Sequence, residues 1–361
     1  MISRERLRFA ITVIGVGFTA VLMLLLFGVY EGVQQEANGY VSSRPVDIWM
    51  SQGNGKNLIR SSSFVSESLL VSLKETEEIS RVAPLLRIID TVNVRGKEAT
   101  LFILGLNPES SLTSPDVIEG VSQFTSGEII VDKAFARKYE LQPGDTIQIR
   151  GDDYRIVGLS VGTNAVITQF SFVSLNAAQK LINFPGLISF ALIEARKGIN
   201  TDHLVDMLKD EYPEMSVYTQ EQFEQNNLDE LRTGLLPILW TIAIVGAVVG
   251  VAILSLLMYG AVIERKEDYA LLKALGGSQS YLVWLLLRQS LVVILFGYVF
   301  GIVTFYTLKP IIINLVPEIA ISVSATTMVL VGLAVMGIST IAAVLPIHRL
   351  GRVYPAEVFR A

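Results

Sequence analysis

The sequence predicts an α+β membrane protein, in which four transmembrane helices carry a large mixed α/β domain inserted, outside the cytoplasm, between the first helix and the second. Three observations predict it. Of 361 residues, 51% are hydrophobic and only 17% charged, so much of the chain expects lipid rather than water. Four apolar stretches have the length of a membrane span, and about 200 residues between the first two suffice for a core of their own. Charge is divided unevenly: residues 31–234 hold 18 Lys/Arg against 28 Asp/Glu, and the rest of the chain 11 against 6. An acidic outer domain on a basic-anchored membrane part explains that division.

The first span, residues 9–30, contains no charge. At 1.5 Å per residue it reaches about 33 Å, against a hydrocarbon core of about 30 Å. Arg4, Arg6 and Arg8 in front of it, with the small residues Ala37 and Gly39 behind, also fit a cleaved signal peptide, but the apolar run is longer than such peptides use. The second span, 235–262, has Pro237 near its start, where a missing N–H costs little. In the third, an apolar run at 282–287 is interrupted by Arg288 and Gln289 and resumes over 291–308. One long helix whose first turns lie at the interface lets Arg288 snorkel. The fourth runs over 325–345 and is expected to stop at Pro346.

Basic residues in the short segments orient these spans. The N-terminus, the segment between spans two and three with Arg265, Lys266, Lys273 and Arg288, and the tail with Arg349, Arg352 and Arg360 all belong in the cytoplasm. The connection between spans three and four offers only Lys309 and lies outside with residues 31–234.

Within the outer domain, residues 87–94 and 98–106 read as a hairpin about Arg95-Gly96-Lys97, and 144–150 with 154–161 as a second about Gly151-Asp152-Asp153. Helices are expected at 66–74 behind a serine cap, at 132–139 and 176–182 behind Asp132 and Asn176, and at 201–212. Residues 108–115 and 125–127 look like junctions between subdomains. The polar, helix-compatible flanks 31–40 and 221–232 would form two stalks joined to spans one and two.

Much chemistry is excluded. Cysteine is absent and histidine occurs only as His203 and His348, so thiol nucleophiles, disulfides and His-rich metal cages are excluded or poorly supplied. No GxxxxGK[ST], GxSxG or HExxH occurs, and no basic stripe answers to nucleic acid. No catalytic residue and no metal ligand set is assigned. His203 and Met207 stand four apart on an expected helix, a spacing that offers haem two axial ligands, although a surface histidine and a core methionine account for the pair as simply. Glu230, in the acidic run beside span two, is a further substrate candidate against a plainly solvated stalk. Gly246 with Gly250, and Gly297 with Gly301, are GxxxG pairs suited to close helix packing, within one subunit or across a dimer.

The most informative stretch follows span two. Glu264-Arg265-Lys266-Glu267-Asp268-Tyr269 is a charged turn, and Ala270-Leu271-Leu272-Lys273-Ala274-Leu275 a short amphipathic helix stopped by Gly276-Gly277-Ser278. This pattern, directly after a span, resembles the signature of MacB/FtsX-type permeases, the membrane subunits of ABC transporters. Pro346-Ile347-His348-Arg349 and Pro355-Ala356-Glu357-Val358-Phe359-Arg360 resemble that family's closing pattern, and Leu141-Gln142-Pro143-Gly144-Asp145 and Tyr154-Arg155-Ile156-Val157-Gly158 its outer domain. MacB itself carries a fused ATPase that these residues lack.

The resemblance implies three divisions: residues 1–30, a MacB-like domain with stalks over 31–234, and an FtsX-like domain over 235–361 containing a coupling helix at 263–280. It implies a homodimer in a bacterial plasma membrane with both termini cytoplasmic, working with a separate ATPase that supplies ATP and Mg2+; this chain would hold no cofactor itself. Glu264, Arg265, Leu271, Lys273, Leu275, Gly276 and Gly277 would couple the two subunits. Membrane lipid and an adaptor in the outer compartment are further partners the resemblance allows. The expected activity is extrusion of a hydrophobic or amphipathic compound, such as a drug, peptide, lipid, lipoprotein or haem; the alternative is a transmembrane relay that regulates an outer partner without transport.

Overall fold

The structure is a computed structural model describing residues 2–350 apart from 54, 62, 165–168, 265–270 and 273–277. The chain divides into two compact units. One contains Gly32–Leu236 with Ile313–Ala320; the other contains Met1–Glu31, Pro237–Ile312 and the chain from Ile321 on.

The first helix, α1 (Ile2–Ser42), contributes to both units. In the outer unit it is followed by β1 (Ile48–Gln52), β2 (Val65–Ser66), α2 (Leu69–Glu75), β3 (Ile79–Val94), β4 (Lys97–Leu106), β5 (Val117–Gly120), β6 (Glu128–Asp132) and α3 (Lys133–Lys138). Then come β7 (Thr146–Ile149), β8 (Asp152–Ser160), β9 (Gln169–Ser174), α4 (Leu175–Ile182), β10 (Leu187–Ile188), β11 (Phe190–Ala195), α5 (Thr201–Glu211), β12 (Met215–Thr219) and α6 (Gln220–Thr233). One sheet runs β12-β1-β11-β3-β4-β9-β6-β8-β5, and β7 pairs with both β8 and β3, so six strands close a ring. The pairs β4–β9 and β6–β8 are parallel and the others antiparallel. Because this sheet is continuous, residues 108–115 and 125–127 are loops within one domain and not boundaries between two.

Both expected hairpins form. Val94 pairs with Lys97 across Arg95-Gly96, where φ is +50° and +80°, the left-handed pair that a two-residue hairpin turn demands. The second turn is tighter than its sequence suggested: Ile149 pairs with Asp152 across Arg150-Gly151, which puts Asp152 and Asp153 in the strand.

Two helix starts are corrected. Ser66 is paired in β2, and α2 begins three residues later behind Ser68, whose side chain makes no capping bond. The cap of α4 is Ser174, which accepts from Ala177 N–H, rather than Asn176. Asp132 does cap α3, accepting from Ala134 and Phe135 N–H, and α5 begins at Thr201 behind Asn200.

Side-chain alternation builds two cores. Ile48, Met50, Ala191 and Ile193 pack in one cluster with α2, α4 and α5; Trp49, Phe190 and Leu192, one step along the same strands, pack in the other with Tyr40 of α1 and Phe223 of α6. Strands buried on both faces lose the hydrophobic–polar alternation, which is why β1 and β11 did not read as strands.

In the second unit, α1 is joined by α7 (Leu235–Glu264), α8 (Gln279–Leu315) and α9 (Ala325–Leu350). Among the described residues, three helices are long and apolar enough to cross a membrane, at Phe9–Ser42, Leu236–Ile253 and Ser290–Leu315. The fourth expected span reaches a shorter apolar stretch, Ala325–Thr340. α8 continues through Pro310, and α9 does not stop at Pro346. Arg288 is exposed, its guanidinium 5.5 Å from the Trp284 ring centroid.

Candidate functional site

Glu264 is the last residue of α7, while Arg265, Lys273, Leu275, Gly276 and Gly277 lie outside the described residues. Leu271 is helical and 54% exposed. After it, Ser278 starts α8 by accepting the Tyr281 N–H on its hydroxyl at 3.2 Å.

The four GxxxG glycines all face α1 of the same chain. A Cβ at Gly246 would stand 2.7 Å from Leu26 Cδ1, and one at Gly250 2.7 Å from Thr19 Cγ2. On α8, a Cβ at Gly297 would stand 2.6 Å from Val16 Cβ, and one at Gly301 2.7 Å from Ala20 Cβ. Small residues let helix backbones approach closely, and here α7 and α8 approach α1 from their own glycines. Aromatic contacts extend both seams: Trp240 lies 5.8 Å from Phe27, and Phe296 lies 6.2 Å from Phe9. The start of α9 is held on α1 as well, where the Glu31 carboxylate accepts from Ser324 N–H at 3.0 Å and Thr327 Oγ1 at 2.8 Å. α1 is thus the common neighbour of α7, α8 and α9.

The substrate candidates do not converge. His203 is exposed on α5, whereas Met207 is half-buried and packs on the core. Glu230 is engaged by Arg60 Nη1 at 2.7 Å. Among the described residues no three His, Cys, Asp or Glu side chains gather as a metal site would require.

What the structure does bring together is the joint where α1 and α6 enter the outer unit, which composition and motif left unseen. Val33, Ala37, Tyr40 and Val41 of α1 are buried. Gly39 is small because the chain packs there: a Cβ on it would stand 2.6 Å from the Gly162 carbonyl oxygen. Arg44, just past the helix, reaches Asp116 at 2.6 Å, and Tyr40 Oη donates to the Thr113 carbonyl at 2.6 Å. On α6, Phe223 stacks on Trp49 with centroids 4.3 Å apart and rings 3° from parallel. Asn38 Nδ2 donates to the Glu224 carbonyl and Gln220 Nε2 to the Val41 carbonyl, tying the two helices to each other. Arg87 is buried as well, with no carboxylate paired to it among the described residues; its guanidinium donates to the Ile59 and Ser61 carbonyls, and burial pushes its pKa down to about 10. Asp132 is buried too, and desolvation holds its carboxyl above the usual range despite donors from Thr163, Ala134 and Phe135. The signals that could have found the joint are weak ones: Trp49 in an apolar run, and Gly39 in a helix.

Residues 9–211 match the family described as MacB-like periplasmic core domain, and residues 240–355 the family described as FtsX-like permease C-terminal. An uncharacterized ABC transporter permease of Mycobacterium tuberculosis is 25% identical over 361 residues, covering 98% of this chain and 95% of its own. Another, from Methanocaldococcus jannaschii, is 26% identical over 179 residues, 45% of this chain and 43% of its own. Among solved structures, the periplasmic region of MacB from Actinobacillus actinomycetemcomitans aligns with 12% identity and a TM-score of 0.41, over 50% of this chain and 93% of that one. The extracellular domain of the ABC-type transporter YknZ aligns with 15% identity and a TM-score of 0.37, over 48% and 98%.

Proposed function

Because this chain belongs to the MacB/FtsX-type family of ABC transporter permeases, we propose that it acts as a homodimer with a separate ATPase, which binds ATP and Mg2+ at the cytoplasmic face. ATP-driven closure enters through residues 263–280, moves α7 and α1, and is delivered to the outer domain, which extrudes a hydrophobic or amphipathic compound. The observation that supports this reading is the continuity of α1. Its residues 9–30 are apolar, and without a break in the helix its residues Tyr40 and Val41 become core of the sheet domain. A helix is stiff along its axis, so a displacement at one end appears at the other.

The test is made at the entry point. Leu271→Asp and Leu275→Asp place a charge in an apolar docking contact, at a cost of about 2–5 kcal/mol. Gly276→Val penalises the left-handed stop a helix end uses. All three variants are expected to insert and fold, yet to lose co-purification of the ATPase or its stimulation by the permease. Full stimulation in all three would place docking elsewhere. Coupled hydrolysis with no movement of any hydrophobic cargo into the outer compartment would instead assign the chain to signal relay.

A further inference from the structure

After β8 the chain turns through residues 161–164, and this turn lies directly on α1. The approach at Gly39 and Gly162 is backbone to backbone, and Gly162 takes φ +68°, a conformation glycine adopts without strain. One turn earlier on α1 stands Glu36, whose carboxyl is held above its ordinary range by burial and by the Asp132 charge, with the Asn164 backbone N–H acting the other way. The side chain of the same asparagine holds two other parts of the outer unit. Its Nδ2 donates to the Glu318 carbonyl at 2.9 Å and its Oδ1 accepts from Gln169 Nε2 at 3.1 Å. Glu318 belongs to Ile313–Ala320, the stretch from the end of α8 into the α8–α9 connection, and its carboxylate is held again by Lys138 Nζ at 2.6 Å. The turn itself is anchored to the sheet by Thr163, which donates to Asp132 at 2.6 Å and accepts from Phe170 N–H at 2.8 Å.

Thr163, Asn164, Gln169 and Asp132 are each at most 5% exposed. Buried polar groups cost free energy unless bonded, and an apolar filler would close the same space more cheaply. What a satisfied polar network supplies instead is a defined position for each segment it touches. Here those segments are α1, the sheet and the connection that joins α8 to α9.

We propose that Asn164 is a positioning residue that couples Ile313–Ala320 to the outer turns of α1, so that the α8–α9 connection is a third route, beside α1 and α6, from membrane helices to sheet. The proposal rests on the mechanical reading above. Its two fastenings differ in kind. The Asn164 bonds are buried and hold register, whereas the Lys138–Glu318 pair is 41% and 28% exposed, the setting in which an ion pair is weak enough to open within a cycle.

Coupling is read by amide hydrogen exchange on the full chain in lipid nanodiscs, with neither ATPase nor nucleotide present. Lys138→Glu is expected to speed exchange about three- to tenfold both in residues 313–320 and in residues 33–42 of α1, leaving the β7–β8 hairpin unchanged. The swapped pair Lys138→Glu with Glu318→Lys restores both segments. Asn164→Ala loosens both at least as much; if that variant also loses protection in β3 and β4, the charge swap alone decides. Loosening confined to 313–320, or no change in either segment, overturns the proposal. An ATPase that fails to bind would overturn the function proposed above and leave this coupling intact, so the two failures are distinguishable.

Discussion

Gly246, Gly250, Gly297, Gly301 and Gly39 look alike in the sequence, but they sit against different kinds of neighbour, and that decides what replacing each would do. At Gly246 the atom in the way is the tip of Leu26, which can rotate aside; at Gly297 it is the branched stem of Val16 with the Val13 carbonyl 3.0 Å behind it; at Gly39 it is the backbone of Gly162. Overpacking costs about 1–3 kcal/mol where neighbours cannot yield. Thermal unfolding of the detergent-solubilised chain should therefore rank the alanine variants Gly39 most damaging, Gly297 next and Gly246 least. An equal drop for all three would refute the packing described here. Asp132 makes a pH prediction. Its carboxyl is raised above the ordinary 3.8, so its contribution to stability is fully present below that value and is lost as pH rises through the raised one. Asp132→Asn keeps an acceptor for the α3 cap and removes the buried charge. It should be at least as stable as the native chain at pH 7, with the difference shrinking as pH falls toward 3.8. A variant clearly less stable at pH 7 would show that the charge itself holds the turn.

Among elements, α6 carries the sharpest dependence on a single side chain. It starts with a capping box, Thr219 accepting from Gln222 N–H and the Gln222 side chain accepting in return. Most of its surface is polar; Phe223, Asn227 and Leu231 are its buried residues. Phe223 meets Trp49, Phe190 and Tyr218 at once. Phe223→Ala should cost about 3–5 kcal/mol, and should free α6 from β1 before the ring of strands opens. Limited proteolysis would then cut near residues 220–233 while β3 and β4 stay protected. Thr219→Ala, which removes only the cap, should cost about 1 kcal/mol and leave the cleavage pattern unchanged. The contrast separates packing from capping as what fastens this stalk.

For the whole molecule, orientation is the first thing to establish, because every mechanical proposal depends on which side the sheet domain faces. The native chain has no cysteine, so single cysteines report cleanly. Placed at Ser42 or Gln225, both exposed, they should react with an impermeant maleimide on intact cells; placed at Ser278, a cysteine should react only after the membrane is opened. The reverse pattern would invert the orientation that the basic residues imply. The membrane class, the α+β outer domain, its two hairpins and the family were legible in the sequence. Apolar length, turn dipeptides and a local charged-then-amphipathic motif are properties of neighbouring residues, and they survive being read one window at a time. Where β1 and β11 lie was not legible, since strands buried on both faces show no alternation. Nor was the partner of any glycine, because a missing side chain does not say what fills its space. The pairing of Asn164 with Glu318, 154 residues apart, and of Trp49 with Phe223 belongs to the tertiary structure alone. Contacts between distant segments are chosen by the closing of the sheet and the geometry of its faces, and no local pattern in the chain encodes them.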